Sequence, residues 1–156
     1  MIKRNGEQIT VYYSMTLEAM IVAGKYDRFD RDITAERFPT AGNGKVTLRP
    51  VLVHLNKVAS TAEVLAVIAK RNLRPAMNAE LLAYGATYPE TQCKHPIVAL
   101  GQSARIGGHV YSPYLNENDD KRKLNLNYVE NDWNDNCRFL AFATFSVSLG
   151  QIAREF

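Results

Sequence analysis

Residues 60–81 read STAEVLAVIAKRNLRPAMNAEL and contain the clearest helix signals of the chain. Ser60 and Glu63 have the spacing of a capping box, in which each side chain accepts a hydrogen bond from the other residue's backbone N–H. The apolar residues that follow recur at helical spacing and predict a helix to about Arg71. A second helix is predicted just beyond, with Asn78 as its N-cap. The middle of the chain therefore carries two main helices.

The sequence on either side of these helices is mostly typical of β-strands. Before them we predict a strand over 8–13, a short helix over 17–23 and an alternating strand over 46–55. After them we predict strands over 97–100, 109–115, 123–129 and 137–147. Helices early and strands late favour an α+β fold with a mostly antiparallel sheet, rather than alternating βαβ units. We expect one domain that spans residues 1–156.

Composition places the chain among globular proteins. Of its 156 residues, 46% are hydrophobic and 22% are charged, which is too apolar for a disordered chain. The longest apolar run, Val64 to Ala69, is too short to cross a bilayer, so no membrane partner is expected. The N-terminus has no apolar segment typical of a secretory signal, which leaves the cytoplasm as the default location.

The charge pattern disfavours nucleic-acid binding. The chain has 19 basic and 16 acidic residues, and the two signs are interleaved along most of the sequence. A nucleic-acid site needs a basic face or stripe. The only dense basic run, Lys121 to Lys123, follows Glu117, Asp119 and Asp120. We interpret this run as a solvated loop.

Two cysteines and three histidines supply the only candidates for nucleophilic catalysis. Cys93 lies beside Lys94 and His95, and a nearby cation or base is what a thiolate nucleophile requires. An enzyme that uses Cys93 or Cys137 with a histidine is therefore one hypothesis, although a semi-buried thiol explains the same residues. No spacing supports a disulfide or a metal site. No phosphate-binding or catalytic motif is present, and we expect no cofactor.

The segment from Tyr111 to Cys137 is unusually rich in asparagine. It contains seven of them: 116, 118, 125, 127, 131, 134 and 136. The alternation Leu124-Asn125-Leu126-Asn127 predicts a strand whose leucines face the core and whose asparagines face outward. Aromatic and short polar side chains together resemble an antibody paratope. We therefore predict a ligand-binding surface formed by Asn125, Asn127, Tyr128, Asn131, Trp133, Asn134 and Asn136. The alternative is that turns simply collect Asn and Asp.

Three short segments resemble the C-type-lectin-like fold, in particular its formylglycine-generating-enzyme-like branch. The stretch LRPAMNAEL (73–81) is similar to the RLPTEAEWE helix start of that branch, and Arg74 and Glu80 keep its spacing. A loop-rich β region follows, and NCRFLA (136–141) is similar to the closing strand. The resemblance implies a single domain in which strand 8–13 pairs antiparallel with part of 139–147.

The branches of this fold imply different functions. The catalytic members use two nearby cysteines late in the domain, and this chain has only Cys137 there, so oxidase activity is not implied. The triplet Trp133-Asn134-Asp135 matches a calcium-binding triplet of sugar-binding lectins, but its partner triplet is missing, so Asn134 and Asp135 are a weak calcium alternative.

The variable proteins of diversity-generating retroelements resemble the chain better. They carry an Asn- and Tyr-rich binding surface near the C-terminus. This implies a non-enzymatic binding module for a protein or a glycan. An interaction protein of phage or host, with a fold unlike this one, remains a further hypothesis.

Overall fold

The structure is a computed structural model that describes residues 7–144. Within that range it has three α-helices, one short 3₁₀ helix and ten β-strands. The helices are α1 (Leu17–Gly24), α2 (Thr61–Lys70) and α3 (Asn78–Thr87), and the 3₁₀ helix is Thr91–Cys93. The strands are β1 (Ile9–Tyr12), β2 (Arg28–Phe29), β3 (Lys45–Leu48), β4 (Val51–Val53), β5 (Leu73–Pro75), β6 (Ile97–Val98), β7 (Ala104–Ile106), β8 (His109–Asn118), β9 (Lys121–Tyr128) and β10 (Arg138–Ala143).

The α+β class predicted from the sequence is confirmed. Eight strands form the main sheet in the order β2-β9-β8-β6-β10-β4, while β5 adds to β10 and β7 adds to β8. Two of the pairings, β2 with β9 and β6 with β10, are parallel, and the others are antiparallel. The two main helices are α2 and α3, and the short helix predicted over 17–23 is α1, which packs beside α3. No helix among residues 7–144 is long and apolar enough to span a membrane.

The predicted pairing between strand 8–13 and segment 139–147 is wrong. β1 pairs instead with β3 in a separate two-stranded sheet, from Ile9 opposite Leu48 to Tyr12 opposite Lys45. The partner of β10 is β4, with Phe139 opposite Val53. The predicted strand 46–55 is split at Pro50, which has no N–H to donate, and its two halves join different sheets. The last residues of the predicted closing strand, 145–147, lie outside the described residues.

Side chains fix both main helices at their N-termini as the sequence indicated, with one difference. The Ser60–Glu63 capping box forms, with distances of 3.2 and 3.0 Å between backbone N and side-chain O. Asn78, the predicted cap of α3, is instead its first helical residue. The capping hydrogen bond comes from Glu80, whose Oε1 accepts from the backbone N of Met77 at 2.8 Å.

Glu80 is buried and fully paired. Its carboxylate accepts two hydrogen bonds from the Arg74 guanidinium, at 2.9 and 2.7 Å, and one from the Tyr13 hydroxyl at 3.0 Å. The Arg74 guanidinium also lies over the Phe142 ring. Burial and the neighbouring Glu80 carboxylate raise the pKa of Tyr13 to about 12. The Arg–Glu spacing noted in the sequence therefore corresponds to a structural ion pair that ties β5, α3 and the end of β1 together.

The two faces of the main sheet are covered unequally. One face packs against α1, α3 and the small sheet, and buries Leu115, Leu124 and Leu140. On the other face, among residues 7–144, α2 and Trp133 cover the part formed by β4, β10 and β6, where Val98 and Phe139 are buried. The same face of β8 and β9 carries polar side chains that remain partly exposed, among them Tyr114, Asn116, Asn125 and Asn127. No other described element packs on this part of the face, which is called the uncovered part below.

Candidate functional site

A cleft of about 390 Å³ lies at the boundary between the covered and uncovered parts of that face. β6 and β10 are parallel, so the segments that precede them arrive at the same edge of the sheet, and the end of antiparallel β8 extends past that edge. The cleft is lined by residues 92–96 before β6, by Trp133, Asn134, Asn136 and Cys137 before β10, and by Tyr114, Asn116, Glu117 and Asn127 from the sheet. Three segments distant in sequence thus form one site.

Arg122 and Gln92 position the wall formed by residues 92–96. Gln92 is buried, and its Nε2 donates to the backbone oxygens of Asn116 and Lys123 at 2.9 and 3.1 Å. Its Oε1 accepts from Arg122 Nη2 at 2.9 Å. The interpretation of Lys121–Lys123 as a solvated run is wrong at its centre, because the Arg122 side chain is turned inward.

The Arg122 guanidinium also binds backbone oxygens at the C-terminal ends of α1 and α3 and just beyond them. It donates to the carbonyl oxygens of Gly24 (2.7 Å), Lys25 (3.3 Å), Gly85 (2.9 Å) and Pro89 (3.1 Å). It also lies over the Tyr26 ring, 4.8 Å from the centroid. No local pattern in the sequence distinguishes Arg122 from its neighbours. The only signal is its place in the strand alternation, on the same side as Leu124.

Hydrogen bonds define the tautomer of His95. Arg138 Nη2 lies 3.4 Å from His95 Nε2, and a guanidinium only donates, so Nε2 is the acceptor. The proton of the neutral ring is then on Nδ1, which donates to Asn136 Oδ1 at 3.1 Å. Arg138 also donates to the backbone oxygen of Asn136 at 2.7 Å. His95 therefore orients Asn136 at the mouth of the cleft.

The two cysteines line the cleft but are not arranged as catalytic nucleophiles. Both are free thiols, Cys93 exposed and Cys137 buried. Burial raises the pKa of Cys137, whose Sγ donates to Asn134 Oδ1 at 3.4 Å. Cys93 Sγ is 3.9 Å from the carbonyl oxygen of Pro89. Among residues 7–144 no histidine forms a hydrogen bond with either sulfur, so the cysteine–histidine arrangement that the enzyme hypothesis needs does not form.

The asparagines of β9 face the uncovered side as predicted, and Asn116 of β8, which was not predicted to belong to this surface, lies on the same side. Asn125 lies opposite Tyr114 and donates through Nδ2 to Asn116 Oδ1 at 2.9 Å. Asn127 lies opposite Ser112, and its Oδ1 accepts from the backbone N of Tyr128 at 2.8 Å. Burial is the main cause of the raised pKa of Tyr114. These side chains are half-buried, so they form an ordered surface and not a fully exposed one.

The predicted exposure of Trp133 is wrong. Its side chain is only 3% exposed, and its indole Nε1 donates to Thr61 Oγ1 at 2.8 Å. The ring meets Phe139 edge to face, and the backbone of Trp133 pairs with Ala59. A large apolar ring fills the space beside α2, so burial outweighs display at this position. Trp133 contributes part of the cleft wall from within the core.

The seven predicted ligand-binding residues do not form one surface. Asn127, Trp133, Asn134 and Asn136 line the cleft, and Asn125 reaches it through Asn116. Tyr128 and Asn131 lie at a separate hollow with His109 and Glu130. Tyr128 faces the other side of β9, since it directly follows Asn127. Its ring centroid is 4.9 Å from those of His109, which it meets edge to face, and Tyr111, whose ring is tilted against it.

In the triplet Trp133-Asn134-Asp135, which resembles a calcium site, oxygen atoms of Asn134 and Asp135 accept hydrogen bonds within the protein. Asn134 Oδ1 accepts from the backbone N of Asn136 at 2.9 Å and from the Cys137 thiol. The backbone oxygen of Asp135 accepts from His54 Nε2 at 2.8 Å. Within the described part of the chain, no group of three or more His, Cys, Asp or Glu side chains could hold a metal ion. The side-chain oxygen of Asn134 therefore stabilises the local turn, since it accepts two hydrogen bonds within the protein.

Comparisons with known proteins found no relative of this chain. No family model matches the chain, and neither a curated protein nor a solved structure shows significant similarity to it.

Proposed function

We propose that this protein is a ligand-binding module whose site is the cleft between β8, β9 and the segments that precede β6 and β10. The observation that carries this proposal is the uncovered polar face of the sheet, which ends in a cleft lined by four asparagines, 116, 127, 134 and 136. Ordered amides beside Tyr114 provide hydrogen bonds of fixed direction, as binding sites require. The ligand is a protein segment or a glycan.

The proposed relationship to the C-type-lectin-like fold rests on the sequence resemblance, and features of the structure bear on it in both directions. In its favour, the Arg74–Glu80 pair fixes the start of α3, and Arg138–Ala143 is an internal strand of the main sheet. Against it, β1 is not paired with that strand. We propose the variable-protein branch because its binding surface is built from the same residue types as this cleft.

A binding assay with matched variants tests the site. We expect Asn116→Ala to weaken binding to any partner found on an array of immobilised glycans or peptides. Asn118→Ala is the control, because Asn118 lies two residues further along β8, is exposed and does not line the cleft. Asn118→Ala should unfold within about 0.5 kcal/mol of the parent, and Asn116→Ala should lose about 1 kcal/mol because Asn125 loses its acceptor, so both variants remain folded. Partners that bind both variants equally well would place the site elsewhere.

The DNA beside the gene tests the retroelement relationship separately. We expect a reverse transcriptase gene and a near-copy of the 3′ coding end that differs mainly at adenines. If neither is present, the retroelement explanation for the asparagines is wrong, while the binding proposal is unaffected.

A further inference from the structure

The asparagines of the cleft share one hydrogen-bonding pattern. In each of them the side-chain oxygen is already used inside the protein. Asn116 Oδ1 accepts from Asn125, Asn127 Oδ1 from the Tyr128 backbone, Asn134 Oδ1 from the Asn136 backbone, and Asn136 Oδ1 from His95. None of the four Nδ2 groups has a hydrogen-bond partner among residues 7–144. Each of the four amide oxygens thus has a partner within the protein, whereas the four NH₂ groups are available to a ligand.

The orientation of three of these amides follows from their neighbours. The partners of Asn127 and Asn134 include backbone N–H groups, which only donate, so an oxygen must face them. At Asn136 the partner is His95 Nδ1, which carries the proton because Arg138 donates to Nε2. An exchange of O and N at any of these positions would place two donors against each other. At these three positions the unpaired groups are therefore N–H donors.

Lys94 is the charged residue of the cleft that favours a ligand with acceptor groups. Lys94 lines the cleft, is exposed, and forms no ion pair with any described residue. Glu117 is the one carboxylate among the lining residues, and its Oε2 already accepts from the backbone N of Asp120 at 2.8 Å. A neutral hydroxyl group can accept from these NH₂ groups, but it leaves the Lys94 ammonium without a counter-charge. A carboxylate or sulfate only accepts, and it satisfies such a site completely.

We propose that the cleft binds an acidic glycan, and that the amide groups of Asn116, Asn127, Asn134 and Asn136 together with Lys94 receive its carboxylate or sulfate. This inference rests on the proposed function and names the ligand class of the same site. The volume of about 390 Å³ is near the lower end of the range for small-molecule sites, which suits a sugar unit better than a protein surface.

Titrations with a matched pair of sugars test the proposal. Glucuronate and glucose differ only at C6, which is a carboxylate in glucuronate and a hydroxymethyl group in glucose, and they are added to ¹⁵N-labelled protein at constant ionic strength. We expect glucuronate to shift the side-chain NH₂ signals of the four asparagines in a saturable way, and glucose at the same concentration to leave them unchanged. An equal response to both sugars, or to neither, would overturn the proposal.

Two further probes identify the source of the oxyanion. Inorganic sulfate should bind more weakly than glucuronate, because it lacks the sugar ring, and equal affinity would show that the ring contributes nothing. N-Acetylaspartate should also bind more weakly. If it binds more tightly, the glycan assignment is wrong and an acidic peptide takes its place.

A substitution at Asn134 tests the role of one NH₂ donor of the cleft. Asn134→Asp keeps an oxygen for the Asn136 N–H and the Cys137 thiol, but it replaces the NH₂ group with an anionic oxygen. We expect about tenfold weaker glucuronate binding, since a charge-assisted hydrogen bond becomes a repulsion. Asn118→Asp adds the same charge outside the cleft and should change affinity less than about twofold. Unchanged or tighter binding by Asn134→Asp would contradict the proposal. A neutral glycan that binds in the cleft and is weakened by Asn116→Ala would keep the proposed function and still overturn this inference.

Discussion

Replacement of Arg122 by methionine should destabilise the protein by about 3–5 kcal/mol. Methionine keeps much of the apolar stem but removes a guanidinium that donates to Gly24, Gly85, Pro89 and Gln92 at 2.7–3.1 Å. A hydrogen bond to a charged group contributes about 1.5–3 kcal/mol, and these contacts are not additive. Gly24, Gly85 and Gln92 are buried, so part of the cost comes from carbonyl groups left without a donor. Such a loss is at the upper end for single substitutions.

Urea unfolding measures this loss, and Trp133 provides the signal because it is the only tryptophan and is buried. With an ordinary m-value for a domain of this size, the midpoint should fall by roughly 2 M. Arg28→Met is the matched control, because Arg28 is exposed on β2 and should stay within about 0.5 kcal/mol. Arg122→Lys should lie between the two, since an ammonium cannot reproduce the guanidinium fork. A methionine variant within about 1 kcal/mol of the parent would refute the assignment of Arg122 as the residue that joins these layers.

Three further outcomes are expected. Iodoacetamide at neutral pH should label Cys93, tested in a Cys137→Ser variant, much faster than Cys137, tested in a Cys93→Ser variant. The reason is that Cys137 is buried and burial raises its pKa. Rapid labelling of Cys137 would instead support the enzyme hypothesis. Leu124→Ala should cost about 2–5 kcal/mol in urea unfolding, and Leu126→Ala less, since Leu126 is only half-buried; equal losses would contradict the difference in burial. The free energy of unfolding should fall between about pH 10 and pH 12, because the unfolded chain loses the Tyr13 proton before the folded chain does; the fall should be shallower in Tyr13→Phe, and an identical pH profile in that variant would rule out this cause.

Local sequence signals predicted local structure well. The capping box of Ser60 and Glu63 depends on residues three apart, and it forms as the spacing indicates. The alternation at residues 124–127 correctly places Leu124 in the core, whereas Leu126, also predicted to be buried, packs against the core but is only half-buried. In both cases the neighbours in sequence are also the neighbours in space that decide the conformation, so propensity and periodicity suffice.

Long-range contacts account for what the sequence did not predict. Arg122 is 98 residues from Gly24 and 37 from Gly85, so its inward direction depends on packing between layers. Trp133 is buried because its ring fills a space beside α2, and that space exists only once the chain has folded. The cleft needs β6 and β10 to be parallel neighbours, and no local pattern carries that pairing. The sequence therefore indicated which residue types form the site, while the topology decides which of them meet.

The two interpretations of the asparagine-rich segment are compatible, and the structure shows how. Asn127 and Asn134 do act as local backbone-binding residues, through their side-chain oxygens. Aspartate has the same oxygen and serves such turns equally well. The four aspartates of the segment, 119, 120, 132 and 135, all lie outside the cleft lining, whereas four asparagines lie within it. Asparagine differs from aspartate in its NH₂ group. In the four asparagines of the cleft, this group has no hydrogen-bond partner among residues 7–144. Turn formation explains the oxygens of these side chains, and binding of an acceptor is the proposed use of their nitrogens.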